Sequence, residues 1–164
     1  MTTGSDLDVA ADGDGHVAEP DNVREERRMT TPDGVAGRVV VVGPCASGKS
    51  TLVESLRSVG YDAVVSAQEH SDVTTLWRRS RPDALVGLVV DLETTSRRRG
   101  RPWPASLYGQ QRERLAVAMS AAVAVIDTST MTQMAVLAAT TRALREHGVF
   151  PTRHGGTADV ADRA

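Results

Sequence analysis

The apolar positions of this chain fall into short continuous runs separated by stripes of helical spacing, an alternation that predicts strands interleaved with helices. Residues 38–42 read Arg-Val-Val-Val-Val and stop at Gly43, as a strand buried on both faces does. Residues 48–59 place Leu52, Val53, Leu56 and Val59 at helical spacing, and Gly60 is the stop. Residues 61–66 are β-branched enough for a second strand. From a cap at Ser71 or Asp72 a second helix is expected, with Val73, Leu76 and Trp77 on one face, Trp77 in the core and Pro82 as terminator. Residues 84–90 are the most apolar run in the chain and end in Asp91, giving a third strand. Residues 93–105 hold Arg97, Arg98, Arg99 and Arg101 and then Pro102-Trp103-Pro104; without a core stripe, they predict a loop or lid. A helix capped by Ser106 carries Leu107, Gln111, Leu115, Ala118, Met119 and Ala122, followed by a fourth strand at 123–126 that ends in Asp127. The last helix is expected over 131–147, with Met134, Leu137, Ala138, Thr141 and Leu144 inward and Gly148 and Pro151 closing it.

Strands alternating with helices imply an α/β domain: a small parallel sheet of about four strands with right-handed crossovers and helices on both faces. A ligand then lies beyond the carboxyl ends of the strands. This domain is expected over 38–148. Before it, residues 1–37 are acidic and lack apolar periodicity, the composition of a disordered tail; after it, 149–164 read as a flexible tail. Met29-Thr30-Thr31 repeats Met1-Thr2-Thr3, which makes Met29 a candidate start.

The net charge of −2 conceals a split between that acidic tail and a modestly basic remainder, a balance that suits an anionic ligand but that surface arginines alone would also produce. One cysteine among 164 residues offers no intramolecular disulfide, and no run of about 18 apolar residues is present, so a cytoplasmic protein without a membrane span is expected. The cations are arginines throughout, except Lys49.

That lysine lies in Gly43-Pro44-Cys45-Ala46-Ser47-Gly48-Lys49-Ser50, followed by Thr51, which fits the Walker A pattern between a predicted strand and a predicted helix. Glycines there let backbone amides turn toward phosphates, and the helix start adds its positive end. A compact ammonium fits inside such a loop better than a forked guanidinium. Lys49 is expected to reach the β and γ phosphates of a nucleoside triphosphate and to touch ligand more than core, while Ser50 holds Mg2+. Asp91 either supports that magnesium or caps the next turn. Glu69 and His70, after the second strand, serve either as a base on an acceptor hydroxyl or as a solvated loop, with Gln68 as an acceptor contact. Cys45, near a helix start, is a reactive thiol or a small tolerated loop residue without a His or Cys partner nearby in sequence. Arg97, Arg98, Arg99 and Arg101 are candidates to neutralise charge on a transferring phosphoryl group. A basic cluster also suits nucleic acid, but only Trp103 offers a stacking aromatic, which makes that partner the weaker expectation.

The 43–51 loop, the strand to Asp91 followed by an arginine-rich segment, and Ala124-Val125-Ile126-Asp127-Thr128-Ser129 together resemble the small-molecule and nucleoside-monophosphate kinase group, which includes cytidylate, shikimate and gluconate kinases. The resemblance implies a three-layer P-loop fold, ATP with magnesium, γ-phosphoryl transfer, and Thr128 and Ser129 near the adenine base. Members of that group usually carry a further strand and helix between the second strand and the lid, whereas here 68–82 is short, which implies a small acceptor. The alternatives are an NTPase or nucleotide-dependent switch, and a nucleotide-binding module without turnover. No base-reading motif of the GTPase type is present, and the oligomeric state is not legible.

Overall fold

The computed structural model describes residues 30–31 and 34–152. Most of the expected tails, including Met29, therefore lies outside the described residues. Strands β1 (Thr30–Thr31) and β2 (Gly34–Ala36) precede β3 (Arg38–Val42), α1 (Lys49–Ser58), β4 (Asp62–Val65), β5 (Ala84–Val89), α2 (Leu92–Arg99), α3 (Ala105–Ala121), β6 (Ala124–Asp127), α4 (Gln133–Glu146) and β7 (Val149–Phe150). The protein is α/β, built on a four-stranded parallel sheet in the order β4-β3-β5-β6.

Val39, Val40, Val41 and Val42 are all fully buried, so β3 has no solvent face. Side chains alternate across a strand, and the four valines divide accordingly. Val39 and Val41 join Leu52, Val53 and Leu56 of α1, Val136 and Leu144 of α4, and Val149 of β7. Val40 and Val42 join Leu115 and Ala118 of α3, together with Trp77 and Leu85. Helices thus cover both faces. The chain leaves β3 through α1 to pair β4 on one side, then returns past β3 to pair β5 on the other. A crevice opens where the direction of winding reverses, at the carboxyl end of β3. Gly43 begins there.

Four expectations change. The segment 71–82 is not an α-helix: it holds one short 3₁₀ turn, Leu76–Ser80, and a second, Gln68–His70, precedes it. The buried Gln68 side chain explains this: its Nε2 donates to Val73 O (2.8 Å), and its Oε1 accepts from Trp77 N (3.3 Å), taking backbone groups a helix would use. Gln68 is therefore a brace within the loop rather than an acceptor contact. Trp77 is core, as expected, but Val73 is exposed. The basic segment after Asp91 is helix α2, not a loop. Its inward face is Thr94 and Thr95, both buried, which an apolar count misses. On α4 the buried stripe is Val136, Thr140 and Leu144, whereas Met134 is 82% exposed. Helix α3 starts at Ala105, with Pro104 rather than Ser106 in the capping place.

A second, three-stranded sheet, β1-β2-β7, pairs Val35 with Val149 and Ala36 with Phe150 in parallel, which carries the described fold past both expected domain boundaries. Among the described residues no helix is long and apolar enough to cross a membrane.

Leu56 packs wholly inside the α1–α4 face of the sheet. Leu56→Ala is expected to cost about 2–5 kcal/mol of unfolding free energy through lost burial and the cavity left behind, read as a lower urea midpoint at unchanged slope.

Candidate functional site

The loop after β3 turns tightly because Gly43 lacks a side chain: a Cβ there would lie 2.6 Å from Ser47 Oγ and 2.8 Å from the backbone oxygen of Leu88. Ala46 and Gly48 both take left-handed backbone angles, with φ of 61° and 92°. Such reversals turn successive amides toward one side of a loop, making an anion-binding concavity. Helix α1 then starts at Lys49 with no side-chain cap and no acid in its first turn, so its leading amides and positive end are left for a ligand. Ser50 and Thr51 follow on that turn, with Ser50 exposed.

Lys49 is held across this loop. Its Nζ donates to Gly43 O (2.8 Å) and Pro44 O (2.9 Å) and pairs with Glu69 Oε1 at 2.6 Å. Both side chains are nearly buried, 11% and 4% exposed. Lys49 was expected to touch ligand more than core, yet its three N–H groups already have three protein oxygens, one of them on the buried Glu69. Glu69 is no solvated loop residue either: the 3₁₀ turn at 68–70 drives it inward, and its second oxygen, Oε2, is buried with no hydrogen-bond partner among the described residues.

Cys45 has the partners that sequence proximity did not show. Gln111 of α3 clamps it twice, accepting from Cys45 N through Oε1 and donating from Nε2 to Sγ, each at 3.1 Å. His70 Nε2 stands 3.7 Å from the same sulfur and 3.6 Å from Glu69 Oε1. Gln111 was the missed residue, and its signal was a polar side chain on the inward stripe of a helix.

The four arginines separate. Arg98 reaches the loop: Nη1 donates to Ala46 O (2.9 Å) and Thr128 Oγ1 (3.1 Å), and Nη2 donates to Thr128 O (2.5 Å). Arg99 lies over the Trp103 ring at 4.6 Å, and Arg101 over the same ring at 5.9 Å. Arg97 donates to Thr94 Oγ1 at the outer end of the turn above Asp91. Thr128 Oγ1 donates to Ser47 O at 3.0 Å, so Arg98 and Thr128 together tie the loop to the end of β6.

Beside the loop a cavity of about 530 Å³ is lined by Ser47, Thr51, Arg98, Arg99, Thr128 and Gln133, among others. Ser129 faces elsewhere: its hydroxyl accepts from Asp91 N (3.0 Å) and donates to Asp127 Oδ1 (2.6 Å), and its amide donates to the same oxygen. Asp91 caps α2, accepting from the amide and hydroxyl of Thr94. The Thr94 amide holds the Asp91 carboxyl below the usual aspartate value, and the Ser129 hydroxyl and amide do the same for Asp127.

Removing Lys49 strands Glu69 in the interior. Lys49→Ala is expected to lose about 3–5 kcal/mol, and Lys49→Ala/Glu69→Gln to recover part of it, by denaturant titration of both variants. Depressed aspartates stabilise the fold above their unfolded value and lose that contribution as the pH falls through the folded one. Ser129→Ala relieves the depression at Asp127, so the fall in Tm between about pH 5 and pH 2 should be smaller than in the parent chain.

Compared with known proteins, the chain matches no family model, no curated protein and no solved structure.

Proposed function

We propose that this chain binds ATP with magnesium in the 43–51 loop, as a P-loop protein does, and transfers the γ-phosphoryl group to a small molecule bearing a hydroxyl. The observation that carries this reading is the juxtaposition, in one loop, of an uncapped helix start, two left-handed turns and an ammonium already bridging loop carbonyls and a buried acid. Phosphates would take those amides and draw on Lys49. The cavity between Thr51, Arg98, Arg99 and Thr128 would take base and sugar, with Arg98 and Arg99 as the guanidinium groups that line it. Ser50, exposed on the first turn, would hold magnesium, whose charge neutralises the phosphate oxygens. Asp91 has both oxygens engaged by Thr94 and would join only through its remaining lone pairs.

Glu69 is the base in this reading. When phosphates compete for Lys49, Glu69 Oε1 is released from its 2.6 Å pair to accept the proton of an acceptor hydroxyl. His70, 3.6 Å away and largely exposed, would carry that proton to solvent. The short 68–80 segment leaves little protein to surround an acceptor, which favours a small one or, in the second reading, water.

Glu69→Gln keeps the shape of the site and removes the base. Transfer from γ-labelled ATP in a small-metabolite extract is expected to fall at least about 100-fold, while MgATP affinity changes little. Label on a small molecule establishes a kinase, and label only in free phosphate establishes an NTPase. Unchanged MgATP binding in Lys49→Ala/Glu69→Gln would overturn the nucleotide site itself.

A further inference from the structure

The geometry points to a second site, for a zinc-class divalent cation, formed by Cys45, Glu69 and His70. Cys45 comes from the glycine loop and the neighbouring Glu69 and His70 from the turn after β4, yet one sulfur, one carboxylate oxygen and one imidazole nitrogen come within 4.8 Å of one another. Tetrahedral zinc, with a Zn–S bond of about 2.3 Å and Zn–N and Zn–O bonds of about 2.0–2.2 Å, separates sulfur from nitrogen by about 3.5 Å and nitrogen from oxygen by about 3.4 Å. The sulfur lies 3.7 Å from His70 Nε2 and Glu69 Oε1 lies 3.6 Å from the same nitrogen, both close to those separations, and sulfur and carboxylate lie within 4.8 Å of each other.

Three further features suit a cation. The Glu69 carboxylate is buried with its second oxygen, Oε2, unpartnered among the described residues, so Lys49 alone leaves the acid incompletely satisfied. Gln111 Nε2 donates to Cys45 Sγ, orienting the sulfur and stabilising negative charge on it. The His70 side chain is 58% exposed, which leaves an entry path and a fourth position for water. Soft sulfur and imidazole donors select zinc-like ions over magnesium, so the site is chemically distinct from the one at Ser50. On binding, a metal–sulfur bond forms and the thiol proton passes to solvent. Glu69 is shared with Lys49, so an occupied metal site withdraws the acid from the ammonium. In the nucleotide reading above, that removes the base.

The test uses the full chain without nucleotide, so it stands apart from any result on ATP. Titration with Co2+ as a spectroscopic probe, then with Zn2+ by calorimetry, is expected to show one ion per chain, a thiolate-to-cobalt charge-transfer band and heats that depend on the ionisation enthalpy of the buffer. Cys45 is the sole cysteine of the sequence, so that band reports this residue alone. Cys45→Ala should abolish the band, and His70→Ala should weaken zinc binding at least tenfold with Tm retained. Glu69→Gln should also weaken it while Lys49 stays held by the loop carbonyls. Cobalt binding without the band in the parent chain, or zinc affinity unchanged in His70→Ala and Glu69→Gln, overturns the proposal.

Discussion

The constraint on which the molecule rests is a strand with no face to give to water. Four consecutive valines in β3, all fully buried, must be covered on both sides, and an α/β arrangement with helices above and below the sheet is how a single domain does that. Covering both sides from one strand forces the chain to wind first one way and then the other. The reversal leaves the crevice at the carboxyl end of β3, and the glycine loop occupies it. Site and core are thus consequences of one burial requirement.

The loop is then held from three directions by polar side chains rather than by apolar packing. Glu69 meets Lys49 from the turn after β4, Gln111 meets Cys45 from α3, and Arg98 with Thr128 meets Ala46 and Ser47 from α2 and the end of β6. Each clamp spends charges or amide groups inside the protein, where leaving them unpaired is costly. A loop braced in this way keeps its amides oriented before any ligand arrives, which lowers the ordering cost of binding. The same bracing makes the lysine a structural residue as well as a candidate binding one. It also places the one thiol against an imidazole and an acid.

Much of this was legible in the sequence where the signal was local. The strand, glycine loop and helix across residues 38–58 follow from a valine run, glycines at set intervals and a stripe of helical spacing, and the structure has them in that order. The other three parallel strands were legible for a similar reason, β5 and β6 from apolar runs and β4 from its β-branched residues. Less was legible wherever polar side chains do the packing. Thr94, Thr95 and Thr140 are buried but count as polar, so α2 read as a loop and the stripe of α4 was misplaced. Gln68 competes for backbone groups, so an apparent helix became one short turn, Leu76–Ser80.

The sequence by itself determined the order of elements, the position of the loop at the end of a buried strand and the presence of one lysine within it, because each depends on neighbours a few residues away. Only the tertiary structure decided which arginine reaches the loop, that Glu69 is buried against Lys49, and that Gln111 and His70 flank Cys45. Those pairings join residues 20 to 81 positions apart. They arise from the pairing order of the strands and the turn that drives Glu69 inward, and neither leaves a periodic trace along the chain.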